Sequence, residues 1–501
     1  MGPANHSLWL DAKNGKVVPT CIRNDLSPAR SPALIGAIER QGAPGKRPSV
    51  IERRCWAAPP NCLSGNYGRC DTTDKQGALF SAAGCSLRVA ASWRGADVAD
   101  PVAAPVVIVG GGPAGMMAGL LFARAGVRTI VLEKHADFLR DFRGDTVHPS
   151  TLDLFDELGL LERLLAREHD KVSVIGAVIG GSEYRIADFG RVPGPARFIA
   201  MMPQWHFLDF VAEIGRQLPT FSLRMEAEAV ELFIGARRVE GVRLSNGETL
   251  NARLVIAADG RSSRMRTAAA LPLQDLGAPI DVLWFRVPKV RTSDNRTQAY
   301  IDQGEMIVLI DRGDYFQCAR VIEKGGAKRV YAAGVDRFRD DVTRAAPPLS
   351  DHIGVIADWN DVKLLTVTLD RVTRWHRPGF LAIGDAAHAM SPVGGVGINL
   401  AIQDAVAAAN ILAAPIAAGA DPDPLLGRVR TRRLPAVRTI QAIQRAIHQN
   451  VIGAAMRNKA PRAPAVVKLL QAVPALQALP ARLLGLGIRR EHIRSPDRAA
   501  T

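Results

Sequence analysis

The pattern of apolar and polar positions becomes regular near residue 104. Residues 105–109, Pro-Val-Val-Ile-Val, form a short, wholly apolar run that is typical of a buried parallel strand. A glycine-rich turn follows at residues 110–115, and an Ala-, Leu- and Met-rich segment continues to about Arg124 and is closed by Gly126. A second strand is predicted at residues 128–132. This order predicts a strand–turn–helix–strand unit.

Further along the chain, short apolar runs and turn signals predict many β-strands. Strand-like segments occupy residues 172–254, including a hairpin signal at Asn246-Gly247, and a second β-rich stretch covers residues 280–330. Residues 364–375 are predicted to form one long strand. The apolar runs at residues 254–258 and 380–383 are typical of buried strands, and the run at 398–414 is typical of a helix.

From residue 425 onward the pattern predicts a tail of amphipathic helices. Four prolines are expected to break them: Pro461, Pro464, Pro474 and Pro480. Four apolar residues recur at helical spacing: Ile440, Ile443, Ile447 and Val451. We expect this stripe to pack against the rest of the chain or a second subunit.

Residues 1–104 differ in composition from the rest. They are rich in Ser, Pro, Gly and Arg and have no sustained strand or helix period, which predicts a disordered leader. Because no methionine occurs between Met1 and Met116, a reading frame that begins too early is the other interpretation. No function is assigned to this segment.

Charge and cysteine usage narrow the choice of partners. Of the net charge of +15, residues 1–104 carry +5 and residues 427–501 carry +13, which leaves −3 on residues 105–426. A nucleic-acid enzyme is expected to be basic on its working domain, so we predict no nucleic-acid partner.

Five of the six cysteines precede residue 104 at spacings unlike a zinc site, so a reduced, cytoplasmic protein without a metal is predicted. No stretch approaches the 18 consecutive apolar residues of a membrane-spanning helix.

The turn after the first predicted strand carries a phosphate-binding pattern. Gly110-x-Gly112-x-x-Gly115 has the spacing of the dinucleotide fingerprint, in which the glycines allow a tight turn and close approach of a pyrophosphate to a helix N-terminus. Glu133 follows at the end of the next strand, where a carboxylate can bind the adenosine ribose. The pattern predicts a dinucleotide cofactor.

Two further motifs occur later. Residues 259–266 contain D-G-x-x-S-x-x-R, and a second signature combines Gly384-Asp385 with Pro392, Gly394-Gly395, Gly397 and Asn399 before a helix. Together, the three motifs resemble those of the FAD-dependent aromatic hydroxylases of the para-hydroxybenzoate hydroxylase type, the group A flavoprotein monooxygenases. The resemblance covers about residues 105–415, with the motifs in the same order.

The resemblance implies which residues hold FAD. The glycine turn takes the pyrophosphate, Glu133 the adenosine ribose and Asp385 a ribityl hydroxyl. The turn before Asn399 is expected to aim a helix N-terminus at the flavin edge that becomes negative on reduction. The expected cofactor-binding residues are Gly110, Gly112, Ala114, Gly115, Glu133, Lys134, Arg143, Gln204, Asp259, Gly260, Gly384, Asp385, Gly395, Gly397 and Asn399.

Catalytic residues are less clearly indicated. His148 is the candidate base for a phenolic substrate, with a packed structural histidine as the alternative, and Pro392 is expected to lie over the flavin ring. The sequence departs from the family in the second signature, where Ser391 replaces a proline and Val396 a glutamine. These departures leave the flavin pocket less defined by the resemblance than the phosphate site.

The implied fold is α/β, with a Rossmann-like FAD-binding domain of the glutathione-reductase type interleaved with a β-sheet substrate domain and followed by a helical C-terminal tail. The FAD-binding domain is expected at residues 105–171, 201–279 and 376–424, and the substrate domain at 172–200 and 280–375. The basic helical tail is expected at 425–501 and the leader at 1–104.

The implied activity is hydroxylation of an aromatic or similarly electron-rich small molecule, with NADPH or NADH and oxygen, through a flavin hydroperoxide. The alternatives are a flavin-dependent reductase or desaturase of the geranylgeranyl reductase type, and a non-catalytic flavoprotein with a membrane- or RNA-binding tail. The sequence is compatible with a monomer or a homodimer, and it identifies neither the substrate nor the preferred nicotinamide.

Overall fold

The first β-branched run forms a central strand of a largely parallel sheet. In the computed structural model the described residues are 104–139, 145–289, 297–302, 304–453 and 462–498, all within the second of two units, Ser92–Thr501. The first sheet contains β1 (Ala104–Val109), β2 (Thr129–Leu132), β8 (Phe221–Arg224), β9 (Ala229–Ile234), β10 (Val239–Leu244), β11 (Thr249–Ala257), β19 (His376–Arg377) and β20 (Phe380–Ala382).

Strand order in the first sheet brings the ends of several chain segments together. The order is β19-β20-β11-β1-β2-β8, and the neighbours from β20 to β8 are parallel. β9 and β10 extend from the first half of β11 as an antiparallel ribbon. The carboxyl ends of β1, β11 and β20 therefore meet at one edge, where open α/β sheets bind ligands.

The second sheet has seven strands in the order β17-β13-β16-β15-β14-β5-β6. All neighbours are antiparallel except β14 and β5, which are parallel. Its strands are β5 (Val174–Ile179), β6 (Ser182–Asp188), β13 (Ile280–Pro288), β14 (Thr297–Asp302), β15 (Glu305–Asp311), β16 (Tyr315–Glu323) and β17 (Lys363–Leu365).

Two small sheets, eleven α-helices and several short 3₁₀ and π-helical segments complete the described part of the chain. One small sheet joins β3 (Thr146–Val147), β7 (Ile199–Met201) and β4 (Asp170–Val172), and the other joins β12 (Leu273–Asp275) and β18 (Asp370–Val372). The helices are α1 (Pro113–Arg124), α2 (Pro149–Glu157), α3 (Leu161–Leu165), α4 (Gln204–Arg216), α5 (Arg264–Ala268), α6 (Ala327–Ala332), α7 (Val335–Ala345), α8 (Gly397–Ala417), α9 (Asp423–Ile447), α10 (Ala465–Ala472) and α11 (Ala478–Gly485).

The predicted α/β class is confirmed, and the main core lies between the first sheet and helices α1, α4, α8 and α9. Residues 393–417 are long and apolar enough to cross a membrane, but 72% of the 18-residue apolar window is buried inside the protein. This stretch contains α8, whose Leu412 and Ala413 are fully buried in the main core, as in the core helix of a globular domain.

The two faces of the second sheet have different neighbours. On one face, Leu283, Phe285 and Cys318 pack against Phe338 of α7. The opposite face, called the inner face here, belongs to a separate cluster that includes Val393 and Ile447. The sheet residues of that cluster are Ile280, Val282, Trp284, Met306, Val308, Ala319, Val321 and Leu365. The inner face therefore meets the turn that follows Pro392.

Two strand predictions are wrong. Within the strand-like stretch 172–254, residues 204–216 form α4, which buries Phe207, Phe210 and Val211 at helical spacing. The single strand predicted at 364–375 is two strands in different sheets, β17 and β18. Between them the Val367 N–H donates to the Asp281 carboxylate (3.0 Å).

The C-terminal part is not a pendant tail. Helix α9 buries Val437, Ile440 and Gln444 in the protein, while Ile443 and Ile447 are half-buried, so the buried face is rotated from the predicted apolar stripe. The end of the chain returns to α1, where the Arg498 N–H donates to Arg124 O (2.8 Å).

Prolines interrupt this region less than predicted. Pro464 and Pro474 lie at the starts of a helix and a 3₁₀ turn, but Pro480 lies inside the first turn of α11, where a proline removes no helical hydrogen bond. Pro461 lies outside the described residues.

Candidate functional site

The first glycine motif forms the turn between β1 and α1. The Gly110 N–H donates to Leu132 O (2.8 Å), and Gly110 has φ +108°, a value that favours glycine. A Cβ at Gly115 would lie 1.9 Å from Gly110 O, whereas a Cβ at Gly112 would meet nothing within 4 Å. The turn is thus closed on its inner side and open beside Gly112.

The N-terminus of α1 has the features of an anion site. Pro113 begins the helix, and Gly112 provides no side chain to cap its N–H groups. These unpaired N–H groups and the helix dipole favour a phosphate in the open space beside Gly112. Ala114 is buried next to this position, 5% exposed. The arrangement fits a pyrophosphate.

Glu133 lies beside the same turn, at the end of β2. Its Oε2 accepts from the Gly111 N–H (3.0 Å), and its Oε1 accepts from the His135 N–H (3.1 Å) and is 2.6 Å from His135 Nδ1. The neighbouring Lys134 is exposed. A buried carboxylate held against the glycine turn fits the predicted contact with an adenosine ribose.

The carboxylate of the second motif is hydrogen-bonded to other residues of the same motif. Asp259 Oδ1 accepts from Ser263 Oγ (2.5 Å), and its Oδ2 accepts from the Met265 N–H at the start of α5 (3.2 Å). Burial raises the pKa of Asp259, and these hydrogen bonds oppose the rise. Gly260 has φ +83° and no neighbour within 4 Å of an added Cβ. Ser263 is the N-cap of α5, and Asp259 shapes the loop by binding the Ser263 hydroxyl group and the Met265 N–H.

Arg266 of the second motif links it to the third. Its guanidinium donates to Arg261 O (2.8 Å) and to Ala386 O (3.3 Å). Arg261 itself lies 3.5 Å from Asp385, a half-exposed carboxylate. The D-G loop and the Gly384-Asp385 turn are thus joined at the same sheet edge as the first motif.

Gly384 allows close packing at this edge. A Cβ at this position would lie 3.1 Å from both Ala114 Cβ and Ala401 Cβ, and its φ is +58°. Its N–H donates to Asp404 Oδ2 (3.1 Å). A residue of α8 therefore holds the Gly384-Asp385 turn in place.

Asp404 is the centre of a buried charge network that the sequence motifs did not reveal. Its oxygens lie 2.6 Å from His388 Nε2 and 3.0 Å from Arg433 Nε, and all three side chains are at most 1% exposed. Burial acts to raise the pKa of Asp404, but the His388 and Arg433 interactions outweigh it and hold this pKa below its ordinary value. Arg433 also lies 3.4 Å from Glu491, which connects the C-terminal segment to the network.

Asn399 uses its complete hydrogen-bonding capacity at the start of α8. Its Nδ2 donates to Thr146 O (3.2 Å) and Gly395 O (3.3 Å). Its Oδ1 accepts from the His148 N–H (3.0 Å) and Thr151 Oγ1 (2.8 Å). A single amide therefore ties β3 and α2 to the turn before α8.

Two consecutive glycines with positive φ bend that turn. Gly394 and Gly395 have φ +82° and +61°, and a Cβ on Gly395 would lie 2.7 Å from Thr146 Oγ1. Gly397 is the first residue of α8, whose N-terminus has no side-chain cap. Pro392 begins the turn, next to the buried Ser391. The uncapped helix N-terminus fits the predicted stabilisation of a negative flavin edge.

Of the two remaining predicted residues, Gln204 lies within the described part of the chain. Gln204 begins α4, and its N–H donates to Asp145 Oδ1 (3.3 Å). Asp145 pairs with Arg312 of the loop after β15 (2.6 Å), a contact that joins the β3 segment to the second sheet. Burial raises the pKa of Asp145, and the Arg312 charge opposes this. Arg143 lies outside the described residues.

His148 is fully buried at the N-cap of α2. Its Nδ1 is 2.8 Å from Leu484 O and therefore carries the proton, while Nε2 has no hydrogen-bond partner among the described residues. Burial lowers the pKa of His148 to about 4. Its imidazole is neutral at physiological pH and is a weak base there.

The buried His148 predicts a pH-dependent stability. An unfolded histidine binds a proton near pH 6.5 and the folded one only near pH 4, so protonation favours unfolding as the pH falls between these values. We expect His148→Asn, which keeps an N-cap side chain, to remove up to about 3 kcal/mol of the acid-induced loss of stability. Urea unfolding from about pH 7 to pH 4.5 measures it.

His352→Asn is the matched control, because His352 is an exposed histidine at the N-cap of a short 3₁₀ turn. It should keep the wild-type pH profile. A wild-type profile in the His148→Asn protein would show that His148 is protonated equally in the folded and unfolded chains.

Comparison with known proteins agrees with this geometry. The family model described as "FAD binding domain" matches residues 103–443. The chain belongs to the FAD-dependent aromatic hydroxylase family. The 6-methylpretetramide 4-monooxygenase of Streptomyces rimosus is 32% identical over 358 residues, 69% of this chain and 84% of that protein.

A second relative and a solved structure are also similar to this chain. The dialkyldecalin synthase of Streptomyces rugosporus is 26% identical over 63% of this chain and 66% of that protein. Among solved structures, p-nitrophenol 4-monooxygenase PnpA from Pseudomonas putida DLL-E4 superposes with a TM-score of 0.61 at 20% identity, over 77% of this chain and 96% of that one, and supports the fold. As a member of this monooxygenase family, the chain is an FAD-dependent oxidoreductase.

Proposed function

We propose that this protein hydroxylates an aromatic small molecule, using NADPH or NADH and oxygen. One oxygen atom would enter the substrate and the other would leave as water, with the nicotinamide supplying two electrons. Bound FAD supplies this redox chemistry, and the chain binds the reactants and excludes water. The observation that carries the proposal is the meeting of the Pro392 turn with the apolar inner face of the second sheet.

The proposed cofactor site follows the edge of the first sheet. Gly110, Gly112 and Gly115 would bind the pyrophosphate, Glu133 the ribose and Asp385 a ribityl hydroxyl, with Asp259 acting through the loop that its hydrogen bonds shape. The turn at residues 394–397 would donate backbone N–H groups to the flavin edge. The first sheet and α8 would form the FAD-binding domain and the second sheet the substrate domain.

A cavity of about 330 Å³ lies beside this junction, lined by residues 276–279, Arg445, His448 and Gln449. We infer that the substrate lies between the Pro392 turn and the inner face of the second sheet. We also infer a cytoplasmic location, since NAD(P)H is required.

Product analysis under labelled oxygen tests the activity. The FAD-loaded protein is expected to oxidise NADPH or NADH faster with a phenol present, and to place one labelled oxygen atom in the product. A flavin that is reduced and reoxidised without label in any product would favour the reductase alternative. A protein that cannot be reconstituted with FAD would contradict the cofactor assignment and favour a non-catalytic role.

A further inference from the structure

Helix α10 carries an apolar face that the rest of the protein does not cover. None of its residues is buried, although six of the eight are Ala, Val or Leu. Val466, Leu469 and Val473 recur at helical spacing and are 61%, 52% and 42% exposed, and Leu479 in α11 is 62% exposed. These four side chains are called the apolar patch here. Single exposed aliphatic residues are common in proteins, but a group of them indicates an interaction surface.

The other side of α10 is attached to the second sheet. Val467 packs against an apolar cluster on β5 and β14, and Gln471 Oε1 accepts from the Arg185 N–H of β6 (3.1 Å). Gln477 is 4% exposed and donates through Nε2 to Leu470 O (3.0 Å), which joins the turn before α11 to α10. The apolar patch is therefore presented on a helix that has its own contacts with the protein.

The apolar patch lies in a strongly basic segment of the chain. Residues 424–490 contain thirteen Lys and Arg and no Asp or Glu. Three exposed cations of this segment lie within about one helical turn of a patch residue or of the start of α10: Arg462, Lys468 and Arg482. The carboxylates of β6, against which α10 packs, are Glu183, which accepts from Gln298 (2.9 Å), and Asp188, which pairs with Arg191 (2.9 Å). The apolar patch is therefore flanked by positive charge.

We propose that the apolar patch and its flanking cations bind an anionic lipid surface. The aliphatic side chains enter the boundary between headgroups and acyl chains, and the cations interact with the negatively charged headgroups. The helix lies on the surface and does not cross it, because α10 has only eight residues. This interaction determines where the protein is located and does not depend on the proposed hydroxylase function.

The composition of this surface favours lipid over other partners. Residues 462–482 contain no Phe, Trp or Tyr, the side chains on which the bases of a single-stranded nucleic acid stack and which protein interfaces concentrate. A symmetric dimer uses the same surface on both copies, so a second copy of this chain would place cations against cations. Anionic headgroups neutralise these charges instead.

Sedimentation with lipid vesicles tests the proposal in the full-length, FAD-loaded protein. Wild type should bind vesicles of equal parts phosphatidylcholine and phosphatidylglycerol at least about tenfold more tightly than vesicles of phosphatidylcholine alone. Val466→Ser/Leu469→Ser should weaken binding to the anionic vesicles about tenfold or more, because it removes side chains that enter the lipid. Lys468→Gln/Arg482→Gln should weaken it by about tenfold as well, since each cation near the surface adds to the attraction.

Each double variant has a matched control elsewhere on the surface. Val355→Ser/Leu273→Ser changes two aliphatic side chains that are 51% and 46% exposed. Arg216→Gln/Arg237→Gln removes two exposed cations, at the end of α4 and in the turn between β9 and β10. Both controls should bind anionic vesicles within about threefold of wild type, because cations more than a Debye length from the lipid contribute little. The flavin absorbance of each variant shows whether FAD is retained.

The outcomes separate lipid from the other partners. Equal binding of wild type to both kinds of vesicle, binding to neither, or unchanged anionic binding in Val466→Ser/Leu469→Ser would overturn the proposal. A dimer of wild type that this variant converts to a monomer, measured by light scattering without vesicles, would assign the surface to a second copy. Single-stranded RNA bound by wild type in place of vesicles, and released by Lys468→Gln/Arg482→Gln, would assign it to nucleic acid. None of these measurements uses turnover, so their failure leaves the proposed hydroxylase function standing.

Discussion

Replacement of Gly115 by alanine is expected to weaken FAD binding at least about 100-fold, equivalent to about 2.8 kcal/mol. The added Cβ would lie 1.9 Å from Gly110 O and 3.3 Å from Ile108 Cγ2. Neither contact can be relieved without moving the turn or the helix away from β1, because the nearest atom belongs to the backbone. The measurement is a titration of apoprotein with FAD, followed by quenching of flavin fluorescence.

Gly112→Ala separates damage to the turn from loss of the cofactor. Its Cβ meets nothing within 4 Å, so folding stability should stay within about 1 kcal/mol of wild type. FAD binding should still fall roughly tenfold, because the methyl group enters the space assigned to the pyrophosphate. Gly354→Ala, also with no neighbour within 4 Å, is the control for both quantities. Wild-type FAD affinity in Gly112→Ala would place the phosphates elsewhere.

Replacement of Asp404 by leucine is expected to destabilise the protein by about 3–5 kcal/mol. The change removes the nearer carboxylate partner of the buried Arg433 guanidinium, which keeps Glu491 at 3.4 Å, and it leaves the Gly384 N–H without an acceptor. The side chains of Asp404 and Arg433 are 0% and 1% exposed, so water cannot replace the lost contacts. Chemical denaturation of the FAD-loaded protein and the apoprotein measures the loss in each state.

A surface variant and a double variant serve as controls for Asp404→Leu. Glu213→Gln removes a carboxylate that pairs with Arg163 and Arg167 on the surface, and it should cost at most about 1 kcal/mol. The double variant Asp404→Leu/Arg433→Met should recover part of the loss, because it removes both buried charges. Equal effects of Asp404→Leu and Glu213→Gln would show that the network does not support the Gly384 turn.

The helix and strand predictions succeeded where one local pattern decides the outcome. Helix α1 ends at Arg124 as predicted, since Gly126 adopts the positive φ (+82°) that closes it. The prediction at residues 364–375 was wrong, because an alternating pattern does not identify the partner strand. The contact of Val367 with Asp281 ends one pairing before the next begins.

The sequence by itself determined the family, because the three motifs that carry the resemblance lie in short turns whose geometry is local. Tertiary structure alone decided which distant side chains support these turns. His448 meets Ser391 across 57 residues, and Arg433 meets Asp404 across 29, through the packing of α9 on α8. Such contacts have no signal in the local pattern, because the buried face of a helix is set by what packs against it.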